Sequence, residues 1–115
     1  MNTAEISSIS WPADQRIAEH RVLSGTPGAS TVVMHRDPNS ELGLWRVSPG
    51  EFTTIHSGYT EFISISSGRG QLIHDDGTVL ELGPGTVAVL NDGWSGRWVI
   101  ERTLIKSYAI VPTTP

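Results

Sequence analysis

PGEFTTIHSGYTEFISISSG, Pro49 to Gly68, is the stretch on which the reading of this chain turns. Its two halves, Phe52–His56 and Thr60–Ser67, are rich in Thr, Ile and aromatic residues that alternate in period two. A Ser-Gly turn at 57–59 separates them. Such alternation sends successive side chains to opposite faces of a sheet, so both halves are expected as strands. In the second half Glu61 shares its face with Ile63 and Ile65, while Phe62 points the other way. A carboxylate on an apolar face is costly unless it is paired, which makes Glu61 a candidate functional group. His56 closes the first half and titrates near neutrality, the property of a ligand or an acid/base group.

The same pattern extends outward in both directions. Strands are expected near Ser30–His35, Leu44–Ser48, Gly70–Asp75, Val79–Leu82, Thr86–Leu90, Arg97–Glu101 and Leu104–Val111. Turns fall at 37–43, 48–50, 75–78, 83–85, 91–96 and 101–103. DDGT at 75–78 reads as a two-residue hairpin turn. Only Ala13–Val22, behind Pro12, has the composition of a short helix. The chain is therefore expected to be all-β, one closed barrel or jelly roll of about eight to ten strands. The expected organisation is an N-terminal extension at 1–21, a barrel at 22–111 and a frayed tail at 112–115.

Composition excludes several classes of function. The 115 residues carry 8 basic and 12 acidic side chains, with no cluster of basic ones to displace counterions from phosphates. Nucleic acid is not an expected partner. With no Cys, disulfides and thiolate chemistry are excluded. The first twenty residues do not read as a signal peptide, and no window approaches the roughly 20 apolar residues of a spanning helix. A cytoplasmic protein without a membrane partner is expected. The Gly-rich SSGRG, 66–70, is followed by no helix and so does not read as a phosphate loop.

These residues resemble the cupins, small jelly-roll barrels of the RmlC-like type. Gly50-x5-His56-x-Gly58-x2-Glu61-x6-Gly68 follows the spacing of the first cupin motif, and Gly85-x5-Asn91-x-Gly93-x2-Gly96 that of the second. Gly43-Leu44-Trp45 through Pro49-Gly50-Glu51-Phe52, and the pair Trp98–Glu101 and Lys106-Ser107-Tyr108, are similar to one branch. That branch contains the cupin half of ureidoglycine aminohydrolase and the ethanolamine-utilisation cupins. The resemblance implies metal ligands at four positions. His56 and Glu61 occupy two of them, while Gly58 and Gly96 occupy the others and have no side chain. His74, on the neighbouring expected strand, is a further candidate donor, while His35 and His20 lie in turn-rich segments. Because a catalytic iron or zinc wants about three protein ligands, a bound Mn, Fe or Zn is expected to be absent rather than present.

Candidate pocket residues are Trp45, Ile63, Ile65, Trp98, Lys106 and Tyr108, with Glu61 and His56 as the catalytic pair if there is catalysis. Lys106, the only lysine, is expected to pack its stem and send its ammonium outward, with pairing to Glu61 as the alternative. Trp98 shares the parity of Gly96 and is a candidate to fill the space of the missing imidazole. Trp94 is expected at the barrel mouth, as a lid or a dimer contact. Three functions stay open: a small-molecule-binding barrel with a degenerate metal site, a metal-dependent enzyme acting on a small nitrogenous acid, and an accessory or assembly protein. A homodimer is the expected assembly.

Overall fold

Two long strands, β6 (Tyr59–His74) and β9 (Ser95–Pro112), organise the computed structural model, which describes residues 2–113. They pair antiparallel from Tyr59↔Pro112 to His74↔Gly96, and every other strand is hung on this ribbon. Along the free side of β9 lie β5 (Gly50–Ile55), against 95–100, and β4 (Ser40–Val47), against 104–110. Along the free side of β6 lie β7 (Val79–Leu82) and β8 (Val87–Leu90), end to end. β3 (Gly28–Asp37) pairs with β4, β2 (Val22–Gly25) with β5, and β1 (Gln15–Arg16) with β3.

The ribbon folds back on itself where the sequence suggested breaks. Register shifts at Ile65/Ser67, Ser67/Arg69 and Arg69/Gly70 bend β6, and inward parity passes from Glu61, Ile63 and Ile65 to Gly70 and Leu72. Gly68 sits at the bend with φ 96°, and a Cβ there would lie 2.5 Å from the Leu104 Cα. Only glycine fits that approach. Thus SSGRG and ERT are not loops between strands. They are the crease of one ribbon, and the four expected strands are two.

Folding the ribbon produces two facing layers. Trp45, opposite Lys106 in one layer, meets Trp98, opposite Phe52 in the other, with ring centroids 5.6 Å apart. Val47, Phe52, Ile63, Ile65, Leu72, Leu82, Leu90, Trp98, Ile100 and Leu104 fill the space between them. Each fully buried side chain of this size contributes about 1.5–3 kcal/mol relative to exposure.

The all-β, cupin-like architecture is as expected, but the barrel is not closed. Among the described residues no ladder joins β7 or β8 to β1 or β2, so the layers stay connected through the crease and open elsewhere. β7 and β8 have four residues each, and among the described residues their only ladders are with β6. The expected helix at 13–22 is also replaced, by β1 and a 3₁₀ turn at Glu19–Arg21. The DDGT loop has four residues, and only Gly77 has positive φ, so it is not a two-residue hairpin turn. Residues 112–113 are not frayed. The Thr113 amide donates to the Gly58 carbonyl at 3.0 Å, and its hydroxyl donates to Asp92 at 2.7 Å. The remainder of the expected tail, 114–115, lies outside the described residues.

Candidate functional site

The layers part at the end opposite the crease, around a cavity of about 220 Å³. One layer supplies Thr31, Glu41, Trp45, Glu61, Lys106 and Tyr108. The other supplies Phe52, Thr54, His56 and Trp98, and Arg21 arrives from the N-terminal segment. At the floor three polar side chains are almost fully withdrawn from water: His56 at 2% exposure, Glu61 at 5% and Lys106 at 6%.

Glu61 is the centre of this group. Its Oε2 accepts a hydrogen bond from Lys106 Nζ at 2.8 Å, and its Oε1 lies 3.5 Å from His56 Nε2. Lys106 therefore turns inward, contrary to the outward reach expected for a long cationic side chain. Arg97 pairs with Glu51. Around the ammonium stand three aromatic faces, with Nζ 4.5 Å from the Trp45 centroid, 4.8 Å from Trp98 and 6.0 Å from Tyr108. Such faces attract a cation through the ring quadrupole. The inward course follows from strand parity: Lys106 pairs with Trp45 and Ile65, two inward positions, so its Cα–Cβ bond starts toward the cavity.

Burial shapes the protonation of these groups. Loss of water pushes the Lys106 amine below its usual range, with the Glu61 charge opposing the shift. His56 is likewise lowered, first by burial and then by the Lys106 charge, against the pull of Glu61. Its Nδ1 has no hydrogen-bond partner. The Leu90 backbone weakly favours the protonated ring. Tyr108 donates to Glu41 at 2.7 Å; burial and this bond push its phenol up, and the same bond holds Glu41 low. Burial also raises Tyr59, whose ring stacks on His56 at 4.7 Å.

Other sequence candidates are placed elsewhere. Ile63 and Ile65 belong to the apolar core rather than the cavity wall. His74 lies outside this cavity, where its Nδ1 accepts from the Trp94 indole. Trp94, not Trp98, covers the vacated position, since a Cβ on Gly96 would meet the Trp94 ring at 2.8 Å and run into the Ile73 carbonyl. Trp94 is thus an inward wedge between His56 and His74 rather than a lid. Arg21 escaped the sequence reading, because nothing in its neighbourhood marks it. Its side chain donates to the Thr53 carbonyl and the Thr54 hydroxyl and lies over the Phe52 ring.

A metal does not fit this donor set. Among the described residues no three His, Cys, Asp or Glu side chains converge. Glu61 already carries a cation, Gly58 has no donor, and Gly96 has no room for one. A divalent ion would have to displace Lys106 and then be held by two protein ligands.

The sequence pattern of the EutQ-like cupin domain matches residues 34–108. The chain belongs to this family. The match includes the cavity residues from Glu41 to Tyr108 and leaves out Arg21. This EutQ-like cupin shares its fold with the Clostridium difficile EutQ protein, with TM-score 0.66 and 16% identity over 75% of this chain and 64% of that one. A Pseudomonas syringae protein of unknown function gives TM-score 0.79 and 19% identity over 90% of this chain and 45% of that one. The Schizosaccharomyces pombe Cnp3 cupin domain gives 0.73 and 9%, over 96% and 73%. No curated protein matches the chain. At these identities the likeness concerns fold alone.

Proposed function

We propose that this EutQ-like cupin binds a small organic molecule in the cavity between its layers, without a metal. The observation that carries this reading is the buried group of Lys106, Glu61 and His56. Apolar residues of similar size would be at least as stable there, because a buried ion pair repays its desolvation only with good geometry. Stability alone does not account for keeping two charges and an imidazole at the floor of a cavity. A ligand does, and the volume, below the roughly 300–1,000 Å³ of drug-sized sites, selects a small one. His56 and Glu61 are its polar anchors, and Trp45, Trp98 and Tyr108 are its walls. In this reading residues 22–111 form the working unit and the 1–21 extension lends Arg21 to the rim.

The expected result is a rise in melting temperature with a small polar-aromatic or carbonyl metabolite in the presence of a chelator, lost in Trp45→Ala. A ligand at about a hundred times its Kd adds about 2.7 kcal/mol. If no compound shifts the transition and a protein co-purifies, the assembly reading replaces this one. The metal-dependent hydrolase reading needs ligands beyond His56 and Glu61. We also retain a cytoplasmic homodimer as part of this proposal. The register aligns Val89, Phe62, Ala109 and Leu42 in one outward row, three of them large and exposed, which suits a second copy. A monomeric mass by light scattering counts against pairing.

A further inference from the structure

Lys106 has a combination of features that binding alone does not use. It is the only lysine, its amine lies in the cavity wall, and its one hydrogen-bond partner among the described residues is Glu61. Three aromatic faces surround the rest of the ammonium. A carboxylate at 2.8 Å can take the ammonium proton, and His56 at 3.5 Å from the other carboxylate oxygen is a second station for it. These are the parts an amine nucleophile needs: a desolvated nitrogen, a local base and a small cavity for the carbonyl.

We propose that Lys106 captures a small aldehyde or ketone in this cavity as a protonated Schiff base, with Glu61 accepting the proton that frees the amine. The inference rests on the binding reading above and gives the ligand a chemical class. Glu61 takes one proton from the ammonium, and the nitrogen lone pair forms a bond to the carbonyl carbon. The C=O π pair moves to oxygen, which takes a second proton from the nitrogen to give the neutral carbinolamine. The proton held by Glu61 returns to the hydroxyl, which leaves as water while the nitrogen lone pair forms the C=N bond. In sum an ammonium and a carbonyl give an iminium and one water, with no oxidant and no net proton. The charge is the same before and after. An iminium therefore keeps the Glu61 pair and the Trp45, Trp98 and Tyr108 faces, so the site suits the product as well as the free amine.

A single lysine makes the test direct. The full chain is incubated at neutral pH with propanal, benzaldehyde or pyruvate and sodium cyanoborohydride, and adducts are located by intact mass and peptide mapping. The expected product is one reduced adduct on Lys106, formed at least about tenfold faster than on the same lysine in urea-unfolded chain. Burial lowers the Lys106 amine and so raises its neutral fraction at neutral pH, and the cavity holds the carbonyl beside it. Lys106→Arg should keep its fold by circular dichroism and lose the adduct. Labelling of the N-terminal amine alone, or Lys106 labelling no faster than in the unfolded chain, overturns the proposal. The matching alcohols and lactate separate the two readings. Stabilisation by these without any Lys106 adduct ends the covalent step and leaves binding standing, whereas neither effect across the panel counts against both.

Discussion

The two ends of the space between the layers are built on the same ribbon with the same alternation, yet they are filled oppositely. Near the crease the inward residues are Ile65, Leu72, Ile100 and Leu104, and packing alone explains them. At the opposite end, around the cavity, the same strands turn inward Glu61, Lys106 and Tyr108, and the residue after β5 is His56. Backbone geometry treats both ends alike, so the contrast lies in side-chain chemistry. One end supplies stability; the other spends some of it on a polar cavity. The cation that a metal-bearing cupin would hold in such a cavity is here supplied by the chain itself, as Lys106.

The comparison breaks first at the Lys106–Glu61 pair. Lys106→Met or Glu61→Leu alone should cost about 3–5 kcal/mol by denaturant unfolding, since each leaves one buried charge without its partner. The double variant should recover most of that loss, as an apolar pair like those at the crease. Equal, additive losses would show that the two side chains do not act as a pair.

The two glycines at vacated ligand positions sharpen it at smaller scale. Gly96→Ala should destabilise by about 2–3 kcal/mol, because its Cβ meets the Ile73 carbonyl and the Trp94 ring. Gly58→Ala meets nothing within 4 Å and should cost about 1 kcal/mol, from its φ of 86° alone. The reverse order in urea titrations would mean that Trp94 does not occupy the space over Gly96.

The smallest effect is that of pH. The folded His56 ring sits below the ordinary imidazole value, so between that lowered value and about 6.5 the unfolded chain binds more protons. Stability should therefore fall as pH drops through 6.5, and His56→Gln should flatten that slope. An unchanged slope in the variant would assign the dependence to other groups.

Much of this was legible in the chain, for physical reasons that differ by residue. Val79–Leu82 is a strand in both readings because alternation and flanking turns agree. Inward parity of Glu61 and Lys106 was legible too, since period two fixes faces once a strand is known. Their contact was not, because it depends on how far the ribbon folds, and the crease looked like two turns. The β1 and β2 strands were missed because Gln15–Arg16 and Val22–Gly25 have no alternating apolar pattern; pairing to β3 and β5 makes them strands. Trp94 was misplaced because its inward course comes from the local turn, in which its amide bonds to the Asn91 carbonyl.

The most direct measurement is elemental analysis of untagged protein purified without chelator, followed by melting scans with added Mn, Fe or Zn ions. With Lys106 as the resident cation, the protein should carry no stoichiometric metal and its melting temperature should not respond to any of the three. A stoichiometric metal, with stabilisation that His56→Ala abolishes, would contradict the account and return Glu61 to the role of a ligand.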